Sequence, residues 1–204
     1  MAFVLAVALG AGHIAARYAG VRTLAGVLKP LPILLLALVV ATSGGGAYRW
    51  LVVAGLVLSM VGDVLLLFPT RFVAGLASFL TAHLVYIAAF SLGAGAYLLV
   101  LVPFVVMAAA MLAVLWQRLG ADRGPVLAYI TIIAVMGWRA AARALSSAIP
   151  EPSGTLGLVG ALLFMTSDSV LAVNRFAYPF AAADLVVMTT YYAAQVLIAW
   201  SAIV

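Results

Sequence analysis

The chain has 204 residues, of which 68% are hydrophobic and only 7% charged, and its formal net charge is +5. So little polar surface cannot cover a water-soluble globule, which excludes an ordinary soluble domain. The basic residues are scattered singly at predicted helix ends, which excludes a nucleic-acid-binding protein, and the absence of cysteine excludes disulfide and thiolate chemistry.

Apolar runs follow one another along the chain, separated by short breaks rich in charge, glycine and proline. Each run is long enough to cross a hydrocarbon core of about 30 Å as a helix. The first lacks a basic segment and a cleavage site, so it is interpreted as a retained helix. The sequence predicts an all-α fold, a single transmembrane domain over 1–204 built as a bundle of eight helices. The predicted spans are 2–18, 24–42, 50–68, 72–91, 96–116, 126–146, 156–173 and 184–204.

The basic residues predict the orientation of this bundle. Arg49 lies on the same side as both termini, whereas most other basic residues lie in the opposite loops. The positive-inside rule then predicts that the opposite loops are cytoplasmic and that both termini lie outside, in the inner (plasma) membrane. The residues of the predicted cytoplasmic side are Arg17, Arg22, Lys29, Arg71, Arg118, Arg123 and Arg175.

A sequence echo indicates an internal repeat. SMVGDVLLLFPTRF at the end of the third span resembles FMTSDSVLAVNRF at the end of the seventh. The span that follows each of them carries a polar pair three residues apart, His83 with Tyr86 and Tyr192 with Gln195. A parallel duplication of four helices plus four would leave such an echo, although shared apolar composition would mimic it.

Two carboxyl side chains, Asp63 and Asp168, lie inside predicted spans. An ionised carboxylate at membrane depth costs roughly 2.5–3.5 kcal/mol, so both require partners. Stripes of small residues precede them at helical spacing, and such stripes favour close helix contact. Both carboxyls are therefore expected to point into the bundle. The stripes are Gly55, Ser59 and Gly62 before Asp63, and Gly157, Gly160 and Ala161 before Asp168.

Further polar side chains share the depth of these two acids. His83 and Tyr86 lie on one face of the fourth span, and Tyr191, Tyr192 and Gln195 lie on one face of the eighth. Each of them alone is readily explained as a buried hydrogen-bonding group that joins helices. The whole set favours a site, because joining helices does not require two costly carboxylates.

Two arginines and a lysine near the spans each have more than one interpretation, and a histidine has one. Arg139 and Arg143, one turn apart in the sixth span, either pair with a buried Asp or bind a lipid phosphate, or they snorkel to the outer interface. Lys29 is expected at the cytoplasmic surface, either as a phosphate-binding ammonium or as a plain orienting charge. His13 has no visible partner and is interpreted as structural.

Five blocks of sequence, in order from about residue 28 to residue 200, together resemble the lysoplasmalogenase (YhhN) family of membrane proteins. The blocks are LKPLPILLL, GDVLLL, FVAGLASFLTAHLVYIAAF, LLFMTSDSVLAVNRF and TTYYAAQVLIA. The resemblance implies hydrolysis of the vinyl-ether bond of a lysoplasmalogen in the bilayer, giving a fatty aldehyde and glycerophosphoethanolamine or glycerophosphocholine. The family anchors correspond here to Lys29, Gly62, Asp63, Gly75, His83, Tyr86, Ser167, Asp168, Asn174, Tyr191, Tyr192 and Gln195.

The chemistry that we expect is acid/base catalysis by Asp63, Asp168 and His83. One carboxyl would protonate the β-carbon of the vinyl ether, and the ionised carboxylate would stabilise the oxocarbenium ion and activate water. His83, Tyr191 and Tyr192 would position water or the glycerol hydroxyl. The residues expected to bind substrate are Lys29, Tyr86, Arg139, Ser167, Asn174, Tyr191, Tyr192 and Gln195.

This mechanism requires no cofactor and no metal. Two histidines cannot assemble a three-histidine zinc site, although a metal held by His83, Asp63 and Asp168 is an alternative. The competing function is a proton-coupled transporter of lipids or small molecules, because buried acids also serve such carriers. A carrier needs access from both sides, whereas these polar residues cluster toward the predicted cytoplasmic leaflet.

Overall fold

The computed structural model describes all 204 residues, and its regular structure is entirely helical. The expected all-α fold is therefore confirmed. The α-helices are α1 (Ala2–Tyr18), α2 (Arg22–Leu28), α3 (Leu31–Thr42), α4 (Ala47–Leu65), α5 (Phe72–Ser91), α6 (Val102–Leu115), α7 (Arg123–Ala144), α8 (Ser153–Ala172) and α9 (Ala183–Ser201). Short 3-10 turns precede α5, α6 and α7, and a π-helical turn, Val173–Ala177, follows α8.

The predicted spans correspond to these helices, with the second span divided into α2 and α3. Seven helical segments are long and apolar enough to cross a membrane, and α1 is a shorter apolar helix. Large apolar side chains cover the outside of the bundle, and Val73 and Leu99 are 77% and 87% exposed. Such a surface is stable only against lipid, so the chain is a multi-pass membrane protein.

Prolines divide the second span. Pro30 and Pro32 lie at the start of α3, where a residue without a backbone N–H is tolerated, and α2 ends just before them at Leu28. Lys29 lies at the joint between the two short helices. This joint carries its side chain into the bundle instead of along a straight helix.

The small-residue stripes bring helices close together. α4 packs against α5, and α8 packs against α9. A Cβ atom added to Gly55 would lie 2.3 Å from Cε1 of Tyr86, and one added to Gly62 would lie 2.6 Å from Cε2 of Phe79. Gly160 lies equally close to Ile198 of α9. Only glycine permits these contacts, which turn the Asp63 face of α4 inward. The internal repeat stays a prediction.

Ion pairs and hydrogen bonds fix the two ends of the bundle. At one end, which we call the basic end because it holds Arg17, Arg118 and Arg175, Arg17 bonds to Asp184 and joins α1 to α9. At the other, the far end, the Arg49 side chain donates to the carbonyl of Ala202. Asp63 and Asp168 both lie near the basic end, because α4 and α8 finish there.

Candidate active site

Asp63 lies in the last turn of α4 and has two partners from other helices. The Tyr191 hydroxyl of α9 donates to Asp63 Oδ2 at 2.7 Å, and Lys29 Nζ lies 3.7 Å from Asp63 Oδ1. The carboxyl is almost fully buried, with 1% of its side chain exposed. A buried carboxylate is stable when it has both an opposite charge and a hydrogen-bond donor, and Asp63 has both.

This arrangement corrects the expected position of Lys29. The sequence placed it at the membrane surface, but the residue is buried and its ammonium faces Asp63. The joint between α2 and α3 is the reason, because it directs Lys29 inward. Tyr192 fixes the joint by donating its hydroxyl to the Lys29 carbonyl at 3.1 Å.

Asp168, near the end of α8, has a different environment. The Tyr129 hydroxyl of α7 donates to Asp168 Oδ2 at 3.0 Å. Nε2 of His83 lies 3.4 Å from the same oxygen, although its alignment does not make a hydrogen bond. No lysine or arginine pairs with Asp168. Both neighbours approach Oδ2, so Oδ1 is the oxygen that faces neither of them.

Aromatic rings lie between the two acids. The Phe164 ring packs edge-on against His83, with centroids 4.6 Å apart, and against Tyr191, with centroids 5.5 Å apart. Phe79 packs against both Phe164 and Tyr191 in the same manner. Edge-to-face packing of this kind fixes ring orientations, so the groups that contact each acid are held rigidly.

Both acids line one cavity of about 440 Å³ at the basic end, which we call the polar cavity. Lys29, Tyr129 and Tyr191 line it as well, so each acid reaches the cavity together with a hydrogen-bonding partner. His83 does not line the cavity, and it is fully buried next to Asp168. His83, Asp63 and Asp168 do not form one cluster of potential metal ligands. The cavity can offer an ion-paired carboxylate and a carboxyl without a cationic partner to the same small molecule.

Two other predicted residues line the polar cavity from α8 and the turn after it. Ser167 donates to the Val187 carbonyl at 3.0 Å, and the side-chain oxygen of Asn174 accepts from the Phe180 backbone N–H at 3.1 Å. Both side chains therefore hold α8 and its following turn against the start of α9. Their position in the lining still leaves them within reach of a bound molecule.

The remaining predicted residues of α5 and α9 lie outside the polar cavity. Tyr86 donates to Oε1 of Gln195 at 2.8 Å, and both residues are completely buried between their helices. The Tyr192 hydroxyl lies 2.8 Å from Nδ1 of His13, in addition to its bond with the Lys29 carbonyl. These hydrogen bonds join α9 to α5, to α1 and to the Lys29 joint.

Arg139 lies apart from the other predicted site residues. Its guanidinium donates to Ser91 Oγ at 2.9 Å and to the Gly95 carbonyl at 3.1 Å, at the far end of the bundle. It pairs with no acid, and it lines neither the polar cavity nor the cavity that adjoins it. Ten residues of α7 separate it from Tyr129, or about 15 Å along the helix. The structure does not bring Arg139 together with the other predicted substrate-binding residues, and its role in binding stays a prediction.

Tyr129 is the residue that sequence reasoning missed. It is a lone tyrosine in an apolar span, and none of the five sequence blocks that resemble the family lies in the fifth or sixth span. Its position along the helix could have identified it, because Tyr129 is about as far from the basic end of α7 as Asp168 is from the basic end of α8. His13 was interpreted as structural, and the structure places it against Tyr192 and in the lining of the polar cavity.

Comparison with known proteins gives matches over most of the chain. The YhhN family model matches residues 24–202. Lysoplasmalogenase TMEM86B of Homo sapiens is 42% identical over 187 residues, covering 88% of this chain and 75% of that protein. Lysoplasmalogenase TMEM86A of Bos taurus is 38% identical over 156 residues, covering 73% and 63%. The uncharacterized membrane protein YhhN of Escherichia coli O157:H7 is 32% identical over 176 residues, covering 84% of each. No solved structure matches the chain.

Proposed function

The chain belongs to the YhhN family, and from that premise we propose that it is a lysoplasmalogenase, a membrane hydrolase that acts on the vinyl-ether bond of lysoplasmalogens. Relatives named lysoplasmalogenase align with most of its length. The observation that supports the proposal is the polar cavity, which brings together two carboxyl groups with different partners. The products are a fatty aldehyde and glycerophosphoethanolamine or glycerophosphocholine.

The groups around the two acids give each acid a different chemical role. Lys29 and Tyr191 stabilise Asp63 as a carboxylate. Asp168 lacks a cationic partner and has only 10% of its side chain exposed, so it is the carboxyl better suited to carry a proton. We therefore assign Asp168 as the general acid, with the proton on Oδ1, and Asp63 as the ionised partner.

The reaction follows from this division. The Asp168 proton passes to the β-carbon of the vinyl ether, and the double-bond electrons form that C–H bond and leave an oxocarbenium ion. Water adds to the cation and gives one proton to the Asp168 carboxylate, which is thereby restored, while the ionised Asp63 stabilises the positive charge. The resulting hemiacetal collapses to aldehyde and alcohol as its hydroxyl proton passes to the leaving glycerol oxygen. Tyr129 and His83 position Asp168 throughout.

The mouth of the polar cavity supports recognition of a charged head group. Arg17 and Arg22 line it together with Asp184, and Arg22 makes no ion pair within the chain. Guanidinium groups bind phosphate through two parallel hydrogen bonds, and a carboxylate attracts an ammonium group. A glycerophosphoethanolamine or glycerophosphocholine head group carries both of these charges.

The position of the polar cavity in the bundle supports an orientation of the protein in the membrane. The polar cavity opens at the basic end, where most of the arginines lie. The positive-inside rule assigns that end to the cytoplasm. We infer that the site faces the cytoplasmic leaflet of the inner membrane and that both termini lie outside.

Hydrolysis by purified protein in detergent tests the function. Lysoplasmalogen should yield the aldehyde and the glycerophospho head group, both detected by mass spectrometry. Asp168→Asn keeps the shape of the side chain but removes the proton donor, so turnover should fall at least ~10²-fold while the protein stays folded. Glu151→Gln is the matched control, because this exposed acid lies at the far end and should leave turnover unchanged.

Two outcomes would contradict the proposal. An Asp168→Asn protein with wild-type turnover and a lowered Tm would assign Asp168 to helix packing alone. A wild-type protein that forms no product in detergent, yet moves lipid across a membrane under a proton gradient, would be a transporter.

A further inference from the structure

A second cavity, of about 510 Å³, adjoins the polar cavity. It lies between α5, α6, α7 and α8, and hydrophobic side chains form most of its lining, so we call it the apolar cavity. Phe72, Tyr129, Asp168 and Leu171 line both cavities. The proposed general acid and its tyrosine partner therefore lie at the junction between a charged compartment and an apolar one.

The apolar cavity extends from the basic end toward the middle of the bundle. Its lining on α7 begins before the helix at Asp122 and reaches Ile133, a distance of about 16 Å at the helical rise. That is about half of a hydrocarbon core of roughly 30 Å. Leu80, Met107 and Ile133 lie deepest on α5, α6 and α7. A cavity with this depth matches the part of one leaflet that lipid chains occupy.

The apolar cavity has a side opening between α5 and α6. α6 packs mainly against α7 and makes almost no contact with α5. Val73 of α5 lines the cavity although it is 77% exposed, so the lining continues onto the lipid-facing surface. An aliphatic chain can enter by this route without leaving the hydrocarbon of the bilayer.

We propose that the apolar cavity binds the single aliphatic chain of the lysolipid, which enters sideways between α5 and α6. This proposal rests on the proposed function, because it places the bond between chain and glycerol at Asp168. The head group then occupies the polar cavity, and the chain extends past Tyr129 toward Met107. The deep end of the apolar cavity limits the chain length that fits.

Photochemical labelling tests where the aliphatic chain of the lipid binds, and it does not depend on hydrolysis. The probe is a saturated 1-O-alkyl lysophosphoethanolamine with a diazirine at the end of its chain, which has no vinyl ether to hydrolyse. Labelled peptides should contain Leu80, Met107 or Ile133, and unlabelled lysolipid should compete. Label spread over lipid-facing positions such as Leu34 and Leu38 of α3, without competition, would overturn the proposal.

Chain-length selectivity gives an independent test. Met107→Trp should shorten the cavity and lower the ratio of kcat/KM for long-chain over short-chain lysoplasmalogens by about tenfold or more. Val106→Trp is the matched control, because the neighbouring side chain is 62% exposed, lies on the same helix and does not line the cavity. If Met107→Trp does not fold, Ala77→Phe at the side opening should lower kcat/KM for long chains most.

Failure of this proposal differs from failure of the proposed function. An unchanged chain-length profile in folded Met107→Trp and Ala77→Phe proteins that still hydrolyse the vinyl ether overturns the chain site alone. If a wild-type protein hydrolyses nothing but is labelled near Met107 in a way that unlabelled lysolipid competes away, the chain site is supported and the proposed lysoplasmalogenase activity is contradicted.

Discussion

Asp63 and Asp168 have the same side chain but different neighbours, and the neighbours give them different roles. Asp63 contacts an ammonium and a tyrosine hydroxyl, whereas Asp168 contacts a tyrosine hydroxyl and an imidazole. Both carboxyls lie near the same end of the bundle, Asp63 with 1% and Asp168 with 10% of its side chain exposed. The cationic partner is the difference between them, and it is the physical basis for assigning one as the ionised group and the other as the acid.

Tyr129→Phe tests the environment of Asp168. The substitution removes the hydroxyl that donates to Oδ2 and keeps the ring that packs against His83. Asp168 becomes negatively charged as it gives up its proton, and a hydrogen bond to a charged group contributes about 1.5–3 kcal/mol, so we expect turnover to fall at least about tenfold. The measurement is kcat together with Tm in detergent.

Arg139→Gln is the comparison for this prediction. Its guanidinium joins α7 to the turn after α5 at the far end, so its loss should lower the Tm and leave kcat of the folded protein unchanged. If Tyr129→Phe changed only the Tm, or if Arg139→Gln reduced kcat as strongly, the assignment of these two residues would be reversed.

The pairing of α4 with α5 depends on glycine at the contact. Gly55→Ala would place a Cβ within 2.3 Å of the Tyr86 ring, which is held by Gln195 and cannot move away freely. We expect a destabilisation of about 1–3 kcal/mol, the usual cost of overpacking, seen as a lower Tm in detergent. Activity should fall only through loss of folded protein, because Gly55 lies away from both cavities.

Gly124→Ala is the matched control for Gly55→Ala. This glycine lies in the first turn of α7 with open space around it, so alanine should be neutral or should stabilise by roughly 0.5–1 kcal/mol. Equal Tm changes for the two variants would show that the Gly55 contact does not limit the packing of α4 on α5.

The whole molecule presents different surfaces at its two ends, and the absence of cysteine makes their orientation measurable. Single cysteines at exposed Ser43 of the far end and Ala121 of the basic end should respond differently to a membrane-impermeant maleimide. Ser43→Cys should be labelled in intact cells, and Ala121→Cys only after permeabilisation. The reverse pattern would place the site in the outer leaflet and leave its geometry unchanged.

The helical architecture and the two acids that mark the site could be predicted from the sequence. Apolar runs, their lengths and their charged ends are local properties, so the helices could be predicted one at a time. The cost of a carboxylate in lipid is also local, and it selected Asp63 and Asp168 before any contact was known. The ordered sequence blocks added the family.

The tertiary structure alone decided which groups meet. Tyr191 reaches Asp63 across 128 positions of sequence, and Tyr129 reaches Asp168 across 39. Such pairings depend on how each helix is rotated and on where the proline joint directs Lys29, and a periodic pattern specifies neither. For the same reason the sequence grouped Arg139 with the site. Its distance from Asp168 is set by the helical rise along α7, which separates the two ends of the bundle.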